Sequence, residues 1–135
     1  LSLKETPDTI RKLLRFACKY TDSAQFFPLS PFPETEAREE YERKRIILSN
    51  EWYLYDGHHV LLKTDKMTPY EMQIADEWLS KEYYSLRHCL ERFGRSPSKY
   101  SSLVIAVYTN LFHGISRVSK SRQYIKHLRY LKSIS

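Results

Sequence analysis

The most strongly marked helix of the chain opens at Thr68-Pro69-Tyr70-Glu71. A threonine followed three residues later by glutamate is a capping box, and proline is well tolerated at the first helical position. Apolar residues then recur at helical spacing as far as Phe93, and Gly94 offers a terminator. The pattern predicts one helix of about 25 residues, roughly 40 Å long.

Further helix signals lie on both sides of this stretch. Thr6-Pro7-Asp8 predicts a helix that ends near Tyr20, and the polar run 35–44 predicts a short solvated helix. Ser96-Pro97 predicts another helix that continues to Val118 with its apolar residues on one face. A break at 119–121 leads into a final helix. The chain is therefore expected to be mainly helical.

Three short apolar runs favour extended structure. Residues 24–29 predict a strand in which Pro28 limits ladder hydrogen bonding, and the runs 46–48 and 60–62 suit brief strands. The predicted fold class is α+β, mainly α.

The composition is typical of a soluble globular chain of one domain's length. The 135 residues include only three glycines, which argues against a glycine-rich phosphate loop. Cys18 and Cys89 stand apart rather than in a CxxC pair, so a zinc knuckle or redox motif is unsupported, while a disulfide between them stays open. The chain has neither the roughly 18 apolar residues in a row that span a membrane nor a signal-peptide pattern. A cytoplasmic location is expected.

Charge is distributed unevenly along the chain. Residues 1–91 carry 13 Lys or Arg and 16 Asp or Glu, whereas residues 92–135 carry nine Lys or Arg and no acidic residue. A basic tail of this kind either packs on the acidic part with its charges outward or contacts an anionic partner, a nucleic acid or a membrane surface. No motif specifies a particular nucleic acid.

Four segments in a fixed order carry a family resemblance. They are Glu5-Thr6-Pro7-Asp8-Thr9-Ile10, the run 22–33 that contains Pro31-Phe32-Pro33, Arg45-Ile46 with Trp52 through Val60, and Met67-Thr68-Pro69 through Arg87. Together they resemble the C-terminal portion of a radical SAM protein of the cobalamin-binding type. The resemblance covers about residues 3–93 and fades in the basic tail.

The resemblance implies an architecture and a role. Residues 1–48 would form the end of a radical SAM barrel, a partial (β/α) barrel with one or two short strands. Residues 49–66 would be a linker, and residues 67–135 a helical C-terminal extension with a basic tail. The implied function is that of an accessory segment of an iron–sulfur oxidoreductase, closing the barrel and shaping the substrate pocket. SAM, a [4Fe–4S] cluster and possibly cobalamin would belong to the parent enzyme.

The sequence departs from the family in two places. Glu34 stands where the family usually has glycine after Pro-Phe-Pro, which puts a tight glycine-dependent turn in doubt. The family's CxxxCxxC motif is absent, and a cluster needs several thiolates at one site. The chain alone is therefore expected neither to hold a cluster nor to be active. It would be a fragment of a longer enzyme or a degenerate remnant, with the remainder of that enzyme as its partner and self-association through exposed strand edges as a further expectation.

The resemblance also implies two groups of binding residues, and no catalytic residue. Positions expected near SAM are Glu5, Gln25 and Ser30. Positions expected near the substrate are Phe27, Tyr55, Asp56, His58 and His59.

The residues themselves leave the role of the His-rich turn open. Asp56 is suitably placed to orient a histidine that acts as acid or base, but adjacent side chains on extended backbone point to opposite faces. The favoured interpretation of His58 and His59 is a hydrogen-bonded turn that docks the linker on the barrel. No metal site is predicted, because no third ligand lies nearby in the sequence. The alternative to the enzyme segment is a standalone helical binding module that uses its basic C-terminal helices.

Overall fold

A computed structural model describes residues 1–95, 104, 108 and 122–135 of the chain. The helices within these residues are α1 (Pro7–Tyr20), α2 (Glu36–Arg43), α3 (Pro69–Tyr83), α4 (Leu86–Arg95) and α5 (Arg122–Ile134), with a 3₁₀ turn at Trp52–Leu54. Pairing of extended segments in the described part is limited to an antiparallel bridge between Ile47 and Leu62. This architecture confirms the mainly helical α+β prediction. The predicted helix from Ser96 to Val118 lies outside the described residues except for Val104 and Tyr108, which are helical.

The helix starts are those that the capping signals predict. In α1 the Thr9 amide donates to Thr6 Oγ1 at 3.2 Å while the Thr6 amide donates to Thr9 Oγ1 at 2.8 Å. In α3 the Glu71 amide donates to Thr68 Oγ1 at 3.2 Å, and the Thr68 amide donates to Glu71 Oε2 at 2.8 Å. Both capping boxes satisfy amides that have no partner within the helix.

The single helix predicted from Thr68 to Phe93 is wrong, because the chain breaks after Tyr83 into α3 and α4. Tyr83 and Tyr84 are both buried, although adjacent positions on a continuous helix face directions about 100° apart. Tyr84 leaves the helical conformation, and Ser85 then caps α4 with its carbonyl 2.9 Å from the Cys89 amide. The break lets both rings enter the core.

The strand predicted at 24–29 is also wrong, since within the described part of the chain this segment is extended without a ladder partner. A side chain takes the place of a neighbouring strand: the Tyr84 hydroxyl donates to the Ala24 carbonyl at 2.8 Å and accepts from the Ala24 amide at 3.3 Å. The other two extended runs do pair. The Leu48 amide donates to the Leu61 carbonyl at 2.9 Å, and the Lys63 amide donates to the Ile46 carbonyl at 2.8 Å.

The core lies between α1, α3 and α5. Ile10 and Leu14 on α1 face Met72, Leu79 and Tyr83 on α3, and Leu131 brings α5 into the same cluster. All of these side chains are buried. Burial of side chains of this size contributes about 2 kcal/mol each, which explains why short helices are stable here.

Two arginines attach α4 to its neighbours, Arg92 to α3 and Arg95 to α1. Arg92 is buried and donates to the Tyr83 carbonyl at 2.8 Å, with its guanidinium 3.9 Å from the Tyr83 ring centroid. Arg95 donates to the carbonyls of Cys18 and Lys19 at the end of α1, where carbonyls lack helical partners. Among the described helices, none is both long and apolar enough to cross a bilayer.

Candidate functional site

The centre of the site is the turn at Asp56-Gly57-His58-His59. One carboxylate oxygen of Asp56 accepts from the His58 amide at 2.8 Å and lies 2.8 Å from His59 Nδ1. Partial burial disfavours the charge, but the hydrogen bonds from His59 and from the His58 amide hold the pKa of Asp56 below its usual value. Asp56 is therefore an anion that fixes the turn, as a hydrogen-bonded turn requires.

The two histidines face opposite directions, as expected of adjacent residues. His58 is exposed, and its ring centroid lies 5.6 Å from that of Phe27. Glycine is required at position 57, directly before His58, because its φ is 78° and a Cβ would come within 3.1 Å of Phe27 Cδ1. His59 is buried and points toward α5. The turn thus presents one imidazole to solvent and inserts the other into the protein.

The buried imidazole belongs to an aromatic cluster with α5. The His59 ring lies 5.0 Å from His127 and 5.6 Å from Tyr124, between centroids. His127 Nε2 donates to the Val60 carbonyl at 3.0 Å, which assigns its proton to that nitrogen. Burial lowers the pKa of His127, with a smaller contribution from His59, so the ring is neutral near pH 7. His59 Nε2 is buried and has no hydrogen-bond partner among the described residues.

Gln73 joins the same turn to α3. Its side chain is buried, donates through Nε2 to the His58 carbonyl at 2.8 Å, and accepts from the Val60 amide through Oε1 at 2.9 Å. The side-chain amide of Gln73 therefore satisfies one backbone donor and one backbone acceptor on either side of His59.

Replacing Gln73 by methionine should lower the free energy of unfolding by about 2 kcal/mol, because the Val60 amide and the His58 carbonyl lose their partners while the volume stays similar. Urea unfolding followed by circular dichroism measures the change. Gln25→Met is the matched control at an exposed glutamine and should have almost no effect. Equal losses in the two variants would contradict the role assigned to Gln73.

An aromatic surface lies beside the turn, formed by Phe32, Trp52 and Tyr55. The Tyr55 ring lies 5.0 Å from Trp52 and 6.4 Å from Phe32, between centroids, and both neighbours are more than half exposed. Arg38 holds Tyr55 in place by donating to its hydroxyl at 3.1 Å, and the hydroxyl donates to the Ser49 carbonyl at 3.2 Å. Exposed aromatic surface of this kind is typical of a contact site.

The three positions predicted near SAM have different surroundings within the described part of the chain. Glu5 accepts from Ser2 and Thr9 at the start of α1; partial burial opposes its charge, but these hydrogen bonds lower the pKa of Glu5. Gln25 is exposed. Ser30 Oγ is buried and has no hydrogen-bond partner within the described part of the chain. None of the described contacts joins any two of the three residues.

The turn after Pro31-Phe32-Pro33 keeps its tight geometry without glycine. Glu34 has φ 57°, the left-handed conformation that glycine adopts most easily. Thr35 then caps α2 by accepting from the Arg38 amide at 3.2 Å. The turn therefore forms although Glu34 stands where the resembled family usually has glycine.

The thiols of the chain do not suit an iron–sulfur cluster. The sequence has two cysteines, Cys18 and Cys89, and both are buried. Arg92 lies against them, with Nη2 3.3 Å from Cys89 Sγ and Nη1 4.0 Å from Cys18 Sγ. Burial raises the pKa of the Cys18 thiol. Across residues 1–95, 104, 108 and 122–135, no three His, Cys, Asp or Glu side chains lie close enough to hold a metal ion.

Several residues of the site were not identified by the sequence analysis. The sequence indicates a role for Gln73 and Arg38 only weakly, since each is simply a polar residue in a helix next to a turn. His127 carries a stronger one, because it lies at helical spacing with Tyr124 and Leu131 on the apolar face of α5.

Comparison with known proteins gives one partial similarity. Over 104 residues the chain is 26% identical to bacteriochlorophyllide d C-8(2)-methyltransferase of Chlorobaculum tepidum. The matched region covers 76% of this chain but 23% of the methyltransferase, so the chain spans about a quarter of the length of that relative. No family model matches the chain. No solved structure matches it either.

Proposed function

We propose that this chain is the C-terminal accessory segment of a radical SAM iron–sulfur enzyme, inactive by itself. The similarity over 104 residues to one part of a much longer methyltransferase carries this proposal. The order of the four segments between Glu5 and Arg87 supports it. The rest of the parent enzyme would hold the [4Fe–4S] cluster, SAM and possibly cobalamin, because the two thiols here are buried beside Arg92.

In this proposal the segment closes the barrel and supplies one wall of the substrate pocket. Phe27, His58 and Tyr55 would contribute their exposed or half-exposed rings, with Asp56 and His59 holding the turn beneath them. The rigid support of Tyr55 by Arg38 favours a wall of fixed shape. Glu5, Gln25 and Ser30 would approach SAM only together with residues of the parent enzyme.

The reading frame tests the proposal. The gene should continue in frame upstream of Leu1 and encode a CxxxCxxC motif. The full polypeptide, reconstituted anaerobically with iron and sulfide and supplied with dithionite as the electron donor, should cleave SAM reductively. An initiator codon directly before Leu1 would contradict the proposal.

Variants of the parent enzyme separate wall residues from structural ones. Because Phe27 and His58 would line the pocket without taking part in the chemistry, Phe27→Ala should raise KM about tenfold, and His58→Ala should change turnover within a few-fold. Complete loss of turnover in His58→Ala, with folding intact by circular dichroism, would instead make His58 a catalytic residue.

A second candidate, a standalone module that binds an anionic partner, is favoured by the charge of α5. Arg122, Lys126, Arg129 and Lys132 are all exposed, and this helix contains no acidic residue. Binding of duplex DNA or of vesicles that contain phosphatidylserine should then weaken steeply between about 50 and about 200 mM salt, because added salt opposes the release of counterions. Weak binding without salt dependence would dismiss the module.

A further inference from the structure

A cleft separates α5 from the segment 48–54 that leads into the His-rich turn. Its volume is about 560 Å³, within the range of small-molecule sites. It lies apart from the surface of Phe27 and His58 that the proposed function uses. The lining residues that matter for its chemistry are Leu48, Tyr53, Leu54, Lys126, His127 and Tyr130.

Hydrogen bonds fix the shape of this cleft. The Tyr130 hydroxyl donates to the Leu48 carbonyl at 3.2 Å and so joins the two walls at one end. His127, in the floor, donates to the Val60 carbonyl at 3.0 Å and packs on His59, which Asp56 holds. A site whose walls are already positioned loses little entropy when a ligand binds.

The surfaces of the cleft favour a flat apolar group. Leu54 is buried and Leu48 is half-buried, which gives an apolar floor. The rings of Tyr53 and Tyr130 remain about half exposed on the walls, so each has a face available for stacking.

The charge at the cleft favours an anion. Lys126 lies in the lining, and Arg122 and Arg129 lie four residues before and three residues after it, on the same side of α5. Glu51 also borders the cleft, but its carboxylate accepts a hydrogen bond from the Tyr53 hydroxyl. The cationic side of the cleft is thus α5.

We propose that this cleft binds a small, flat aromatic carboxylate, with its ring between Tyr53 and Tyr130 and its carboxylate beside Lys126. The proposal does not depend on the proposed function, because every residue that would contact the ligand lies within residues 48–54 and α5.

Naphthalene-2-carboxylate is a suitable probe, titrated into the full 135-residue chain and followed by ¹⁵N NMR. Amide shifts should concentrate at residues 48–54 and 123–130, with a millimolar or tighter Kd. The neutral analogue naphthalene-2-carboxamide should bind about threefold to fivefold more weakly, the range that one exposed charge contact provides.

Two variants of α5 locate the charge contact. Lys126→Gln should weaken binding of the carboxylate about threefold to fivefold and leave binding of the carboxamide unchanged. Lys132→Gln removes the same charge from an exposed position outside the cleft and should leave both affinities unchanged.

The proposal would be overturned if the folded chain showed no saturable amide shift up to about 10 mM probe, a concentration at which a site of this class is filled. It would also be overturned if Lys126→Gln and Lys132→Gln weakened binding of the carboxylate equally. Equal affinity for the carboxylate and the carboxamide is the third such result. Circular dichroism of each variant verifies that the fold is retained.

Discussion

Replacing Tyr83 by alanine is expected to lower the free energy of unfolding by about 4 kcal/mol, because the ring is fully buried where three helices meet. The ring contacts Phe26 at 5.6 Å and Tyr84 at 4.8 Å between centroids, and it supports the guanidinium of Arg92 at 3.9 Å. Removing it leaves a cavity and also deprives a buried cation of the nearer of its two aromatic neighbours, since the Tyr84 ring centroid is 5.9 Å from the guanidinium. Urea unfolding at pH 7 measures the loss.

Tyr83→Phe is the matched control for this prediction. It keeps the ring and removes the hydroxyl, which donates to the Thr21 carbonyl at 3.1 Å and lies 2.9 Å from Thr21 Oγ1. The expected loss is about 1 kcal/mol, because these are neutral hydrogen bonds. If phenylalanine destabilised the protein as much as alanine, the hydroxyl and not the ring would join α3 to the end of α1.

The helix starts could be predicted from the sequence because their causes are local. The partner of Thr68 is Glu71, three residues away, and the partner of Thr6 is Thr9. The break between α3 and α4 could not be predicted in this way. It depends on Tyr84 reaching Ala24, which is 60 residues distant in the chain. The same contact replaces the ladder expected at 24–29.

The residues of the candidate site also differ in whether local or distant contacts fix them. The opposite orientation of His58 and His59 and the role of Asp56 follow from the backbone and from a spacing of two or three residues. Gln73 and His127 reach the turn only through the packing of α3 and α5, 13 and 67 residues from Val60. Sequence patterns therefore identified the turn and Asp56, but not the distant residues Gln73 and His127 that hold the turn in place. The binding roles implied by the family resemblance remain predictions.

One carboxyl group on α3 should stabilise the folded protein at low pH, and this contribution should be lost as the pH rises from about 4 to about 7. Asp76 is buried, and its Oδ1 has no hydrogen-bond partner among the described residues. Burial raises the pKa of Asp76 to about 7, against the opposing effect of the Leu1 amino group, while the nearby charge of Glu77 raises it further. The folded protein thus holds a proton that the unfolded chain loses near pH 4, so the neutral acid favours folding at low pH and this advantage is gone above pH 7.

Asp76→Asn should abolish this loss, because asparagine is neutral at every pH. The full displacement of the pKa corresponds to roughly 4 kcal/mol, and relaxation around the charge reduces the expected gain at pH 8 to about 2 kcal/mol. At pH 4 the variant and the parent protein should be almost equally stable. Urea unfolding at pH 4, 6 and 8 measures the difference, and Asp65→Asn, at an exposed aspartate, should show little pH-dependent gain. If Asp76→Asn were no more stable than the parent protein at pH 8, the buried carboxyl would have to be paired when charged, and it would not be the source of the pH dependence.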